Sequence, residues 1–156
     1  LSDAVQYALD VVVVLQLLVL ALHDTVPLGR LNNLRHMRAA VPLRRRVIGS
    51  SINTATGLMA AWLCYRSFTT LGGMVDLMEL IVLQGVLFAG ELSSWWWGYF
   101  LGAGAEVVGH LRPNWEGTIA FLPERHGIRL NAVHCVMHAL TLAGLALAIA
   151  EYVLRS

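Results

Sequence analysis

Four stretches of this chain are apolar over a length that crosses a bilayer: about 5–23, 47–65, 76–101 and 131–153. A hydrocarbon core ~30 Å thick takes ~20 helical residues. Inside it every backbone N–H and C=O must pair within the protein, which admits only helices and closed barrels. The runs are too long for barrel strands and lack their alternation. None has an interior proline. Pro27 and Pro42 flank the first connection, and Pro113 and Pro123 lie in the last, so each proline sits where a helix is not needed. The expected fold is all-α: a polytopic membrane protein, residues 1–156 forming one four-helix transmembrane bundle.

Composition agrees. Of the 156 residues, 57% are hydrophobic and only 13% charged, with a mean hydropathy of +0.63. A soluble domain carries ~25% charged residues, and a small one has proportionally more surface to cover. Disorder, coiled coil, collagen and most soluble enzymes are excluded. A formal charge of +1 also excludes a basic nucleic-acid binder. Cys64 and Cys135 lie inside apolar runs without a CxxC, so both are expected as small buried hydrophobes. The first run has acids and no basic region ahead of it, so it reads as a span rather than a cleavable signal.

All basic residues are arginine, and they orient the bundle. Arg30, Arg35, Arg38, Arg44, Arg45 and Arg46 fall in the first connection and Arg112, Arg125 and Arg129 in the last; only Arg66 and Arg155 fall on the other side. The positive-inside rule then places both long connections in the cytoplasm and both termini outside, in the plasma (inner) membrane of a bacterium. The Arg44–Arg46 run could also meet anionic head groups. Gly49, Ser50, Asn53 and Gly57 share one face of the second run, and Gly98, Gly102 and Ala105 line the end of the third, as close helix packing requires. Trp95, Trp96 and Trp97 suit an interfacial belt, yet three consecutive side chains point different ways, so at least one should face protein or ligand.

Converting position to depth exposes a candidate site. At ~1.5 Å of rise per residue, Glu91 and Asn53 come ~4 Å and His138 ~6 Å to the cytoplasmic side of the midplane. Ser50, His23, Asp24 and His134 form a shallower tier at ~9–15 Å. His134 and His138 are i and i+4 on one helix face, with Asn131 and Thr141 extending the stripe. Gln84, Phe88, Glu91 and Trp95 share a face of the third run, and Gln16 and His23 one of the first. Lipid does not tolerate such stripes, so they should face one another.

A carboxylate at Glu91's depth costs at least ~2.5–3.5 kcal/mol. A transition metal (Zn, Fe, Mn or Cu) would offset that cost, since imidazole and carboxylate suit these ions and bundles build such sites from facing helices. The candidate ligands are His23, Asp24, Glu91, His134 and His138. Glu91 and His138 are the candidate catalytic pair, and Asn53, Trp95 and Asn131 candidate cofactor contacts. The alternative is structural hydrogen bonding, with His134 a wetted interfacial residue and Asn131 a helix cap. A heme is a minor variant, resting only on His23 and His134 sharing a depth on different helices. His36, His110 and His126 lie among loop arginines and are expected to be solvated. Asp10, Asp76, Glu79 and Glu151 are expected to be structural, with Arg66 and Arg155 as partners. The connection 102–130 is long, carries Trp115 and Phe121, and could fold back beneath the polar cluster.

HDTVPL at 23–28, WWWGYF at 95–100, FLPERHGI at 121–128 and NAVHCVMH at 131–138 together resemble a group of uncharacterised bacterial four-helix integral membrane proteins. Leu130 stands where that pattern has proline. The resemblance implies a fold and a topology and no activity. Three functions therefore compete. One is a metal or cofactor site acting on a lipid-soluble substrate such as a quinone, a fatty chain or an isoprenoid. Another is a small oligomeric proton or cation transporter or channel. The last is a non-catalytic subunit of a larger membrane complex. The expected partners are the lipid bilayer, a lipid-soluble small molecule, and further copies or subunits; nucleic acid is not among them.

Overall fold

In the computed structural model, which describes residues 2–69 and 73–156, the chain is helical with no strand among those residues. The elements are α1 (Ser2–Leu22), α2 (Leu34–Ala40), α3 (Leu43–Thr69), α4 (Gly73–Glu91), a π-helical turn (Leu92–Trp96), α5 (Trp97–Leu101), α6 (Ala105–Leu111) and α7 (Ala132–Arg155). Four helical runs are long and apolar enough to cross a membrane: Asp3–Leu22, Leu43–Thr69, Gly73–Leu101 and Ala132–Arg155.

Two expected boundaries move. α3 begins at Leu43 rather than near 47, so Arg44, Arg45 and Arg46 form its first turn instead of lying in a loop. Pro42 permits this, because its carbonyl accepts the first helical bond, from Arg46 N at 3.2 Å, and a proline there needs no N–H of its own. Arginine stems are apolar and carry their charge outward, so the helix need not stop where the apolar run stops. At 27 residues α3 is ~40 Å long. α4 likewise starts at Gly73, ahead of the expected 76.

The four long helices form a ring in which α1 packs on α3 and α7, and α4 packs on the same two. The start of α1, the end of α3, the start of α4 and the end of α7 lie at one end, and the long connections 23–42 and 102–131 at the other. The termini half holds an apolar core. Leu9, Val13, Ala60, Leu63, Cys64, Leu77, Leu80 and Ala148 make one buried cluster there. Above it the acids pair: Arg66 with Asp76 at 3.2 Å and Arg155 with Glu151 at 2.7 Å. Arg155 also donates to the Ser67 carbonyl at 2.8 Å, and the Cys64 thiol to Asp10 at 3.2 Å. Gly57 sets the α1–α3 approach, since a Cβ there would meet Leu17 Cδ1 at 2.9 Å.

The other end is closed by the last connection. Tyr99, Trp115, Ile128 and Leu130 form a second buried cluster against Trp95 and Trp96. Ile119 N donates to Arg30 O and Ala132 N to Ile119 O, both at 2.8 Å, which ties the two connections together and to the start of α7. Gly98 admits the segment: a Cβ would come within 2.7 Å of Ile128 Cδ1. His36, His110 and His126 are exposed, as expected.

Candidate functional site

The polar stripes meet across the ring. Gln16 on α1 and Gln84 on α4 exchange reciprocal side-chain hydrogen bonds of 3.0 and 2.7 Å on the diagonal of the bundle. Gln16 Nε2 also donates to Thr141 Oγ1 at 3.0 Å. The Thr141 hydroxyl has Glu91 Oε1 at 2.8 Å and its own turn's Met137 carbonyl at 3.1 Å as acceptors. All three of Gln16, Gln84 and Thr141 are fully buried. Gly144 makes room for them, because a Cβ there would lie 2.9 Å from Gln84 Nε2.

Glu91 is where this chain of bonds reaches a cavity of about 520 Å³. His23 and Asp24 at the end of α1, Gly49 and Asn53 on α3, Glu91 on α4, Trp95 in the π-helical turn, and His134 and His138 on α7 all line it. The depth-matched set Glu91, Asn53 and His138 thus shares one space, together with the shallower tier apart from Ser50. Gly49, expected in a close helix contact, instead borders this cavity and has nothing within 4 Å of a built Cβ.

The π-helical turn decides which way the tryptophans point. Serine hydroxyls at Ser93 and Ser94 donate back to the Gly90 carbonyl, a bonding pattern that loosens the helical ladder locally. With the wider turn, two tryptophans face inward rather than one. Trp95 packs on His134 with ring centroids 4.3 Å apart and on Trp115. Trp96 donates its indole N–H to His138 Nδ1 at 3.0 Å and stacks on Phe100. Trp97 alone of the three points outward, 65% exposed.

These contacts fix the protons. Indole is a donor only, so His138 Nδ1 must accept and the ring is neutral, with its hydrogen on Nε2. That Nε2 is buried and has no partner, as is Glu91 Oε2. On His134 the order is reversed. Asn131 caps α7 by accepting from His134 N at 2.8 Å, and its amide donates to Asn114 O at 2.7 Å. With the amide so oriented, Asn131 Oδ1 accepts from His134 Nδ1 at 2.7 Å, leaving the lone pair of a neutral His134 on Nε2. Asn131 therefore positions His134, with its side-chain oxygen and nitrogen both engaged within the protein. His23 lies with Nδ1 2.9 Å from the Val19 carbonyl and Nε2 3.2 Å from Asp24 Oδ1. Asp24 in turn accepts from Asn53 Nδ2 at 3.2 Å.

The five expected metal ligands gather around the cavity but not as a ligand set. Among the described residues no three His, Cys, Asp or Glu side chains converge to hold an ion. The physical reason is hydrogen bonding. A histidine ligand presents a lone pair, and His138 gives its own to Trp96. Asp24 is held by His23 and Asn53, and one Glu91 oxygen by Thr141. Of the three histidines only His134 keeps a lone pair for the cavity, and Glu91 offers one carboxylate oxygen. What the site offers is a donor at His138 Nε2, an acceptor at Glu91 Oε2 and a lone pair at His134 Nε2, beside apolar wall. Such a set suits a molecule that both accepts and donates hydrogen bonds.

Five residues take parts that the sequence pattern does not predict. Trp96 as the partner of His138 depends on the π-helical turn. Gln16 and Gln84 were visible as stripes but not as a pair. Arg45 and Arg46 line the same cavity, which follows from the early start of α3. Comparison with family models, curated proteins and solved structures gives no match to this chain.

Proposed function

We propose that this chain is an integral membrane protein that receives the polar group of a lipid-soluble molecule in the half of the bundle next to the long connections. The Arg distribution supports a cytoplasmic position for that half, and a bacterial inner membrane is the proposed location. Glu91 and His138 are the residues that exchange hydrogen bonds, and with them a proton, with the bound group. His134, held by Asn131 and packed on Trp95, is a further acceptor, and Asn53 and Asp24 close the floor on the α3 side.

One observation carries this proposal: Glu91 Oε2 and His138 Nε2 are both buried and unpartnered on one cavity. A buried polar atom without a partner costs about 1–3 kcal/mol, and in hydrocarbon there is no water to relieve it. Two such atoms of opposite hydrogen-bonding sense on one cavity are accounted for by a ligand that supplies both partners. The buried apolar layer of Leu9, Val13, Leu63, Leu77 and Leu80 supports a site open at one end over a conduit for ions. The pairing of Asp76 and Glu151 with arginine supports a structural part for the outer acids.

The test is co-purification. Protein isolated from native membranes in mild detergent is extracted with organic solvent and the extract is analysed by mass spectrometry and absorption. A lipid-soluble compound near one equivalent is expected in the wild type and below a tenth of that in Glu91→Leu and His138→Phe. Equal recovery from wild type and both variants would refute the proposal. A metal in stoichiometric amount, lost with His134→Ala and unaffected by Trp96→Phe, would replace it with a metal centre.

A further inference from the structure

The cavity changes character from floor to mouth. Glu91, His138 and Asn53 form its hydrogen-bonding floor. Its mouth is basic, because Arg45 and Arg46, on the first turn of α3, lie on the same wall. Arg46 is half-buried and donates Nε to the Val41 carbonyl at 3.2 Å, which uses one of the five guanidinium N–H donors. From Arg46 to Asn53 along α3 is seven residues, ~10 Å. The wall between is apolar, with Leu20, Leu87 and Met137 facing the space, and it continues onto Val86, 66% exposed on the outer face of α4. The acids on the cavity are Asp24 and Glu91. Asp24 is engaged by His23 and Asn53, and Glu91 by Thr141 through one oxygen.

We propose that the occupant is an anionic lipid, with its phosphate against Arg45 and Arg46 and an ester, amide or hydroxyl nearer its chain on Glu91 and His138. This rests on the function proposed above and names its ligand class. Guanidinium groups bind phosphate bidentately, and the first turn of a 27-residue helix adds unpaired N–H groups and the positive end of its dipole. A free phosphate ion would fill the mouth and leave the buried Nε2 of His138 without a partner. A neutral lipid would satisfy the floor and leave the two guanidinium groups at the mouth without a counter-charge. An amphiphile with a charged head answers both ends, and the exposed Val86 and Gly90 edge lets its chain leave toward the bilayer.

Arg44 supplies the control. It sits on the same helical turn and does not line the cavity, so general attraction of anionic lipid to a basic surface would depend on it equally. Binding of didecanoyl phosphatidic acid, didecanoyl phosphatidylcholine and inorganic phosphate to the purified chain in non-ionic detergent is measured by calorimetry. Phosphatidic acid is expected to bind at least tenfold tighter than phosphatidylcholine. The preference should vanish in Arg45→Gln/Arg46→Gln, return in Arg45→Lys/Arg46→Lys, and survive in Arg44→Gln. Equal loss in Arg44→Gln, or inorganic phosphate binding as tightly as the lipid, would overturn the inference. Lipid binding that needs Glu91 and shows no head-group preference would overturn it while leaving the function above intact. Arginine-dependent binding unchanged in Glu91→Leu would instead remove that function and leave only an anion site.

Discussion

The reciprocal Gln16–Gln84 pair is the most calculable feature of the bundle interior. Gln16→Leu removes three hydrogen bonds: Gln16 to Gln84, Gln84 to Gln16, and Gln16 to Thr141. It leaves Gln84 Nε2 and Oε1 facing leucine in a position with no solvent exposure. Counted as interhelical bonds within a membrane, three at ~0.6 kcal/mol give ~2 kcal/mol. Counted as two orphaned buried atoms at ~1–3 kcal/mol each, the loss is ~2–6 kcal/mol. We expect ~2–4 kcal/mol, from the value where the two counts meet to the middle of the second. Gln84→Leu should cost a similar amount. The double variant leaves no orphaned amide, and leucine fills comparable volume, so its cost should stay under ~1.5 kcal/mol. The coupling in the cycle is then at least ~2 kcal/mol and favours the double variant. Reversible unfolding in mixed micelles of mild detergent and dodecyl sulfate, followed by far-UV circular dichroism, measures all four proteins. Additive losses would show that the amides do not meet across the ring, and the arrangement of α1 against α4 would be wrong.

Other consequences are independent of that pair. Trp96→Phe removes the indole donor, so His138 should lose its single tautomer; 15N-histidine NMR should show only the Nε2–H form in the wild type and a mixture in the variant. Asn131→Ala removes the α7 cap and frees His134, with an expected loss of ~1–2 kcal/mol in the same unfolding assay and more than one His134 ring environment by NMR. Gly144→Ala puts a methyl against the Gln84 amide and should cost ~1–3 kcal/mol. Gly49→Ala, with open space around it, should stay within ~0.5 kcal/mol of wild type.

Helix number and type were readable because hydropathy over ~20 residues is a strong signal and no proline interrupts it. The common depth of Glu91, Asn53 and His138 was also readable, since rise per residue is nearly constant, and the three do share a cavity. What failed depended on departures from regular geometry. A strict 100° step puts only Trp95 on the face of Glu91, and the π-helical turn, which no local rule placed at Leu92–Trp96, brings Trp96 to His138. Helix ends resisted prediction where arginine stems extend α3 beyond its apolar run, which is why Arg45 and Arg46 were assigned to a loop. The metal set was a matter of residue type and depth. The hydrogen-bond partners that spend the His138 lone pair and orient His134 come from the π-helical turn and from Asn131, and they appear only in three dimensions.

The most direct measurement is an experimental structure of the chain in native-lipid nanodiscs, at a resolution that shows bound small molecules. The account predicts elongated non-protein density in the cavity, within ~3.2 Å of both Glu91 Oε2 and His138 Nε2, with Trp96 Nε1 still on His138 Nδ1. A water bridging the two orphaned atoms in an otherwise filled cavity would contradict it, and so would a metal held by His134 and His138 with Trp96 displaced.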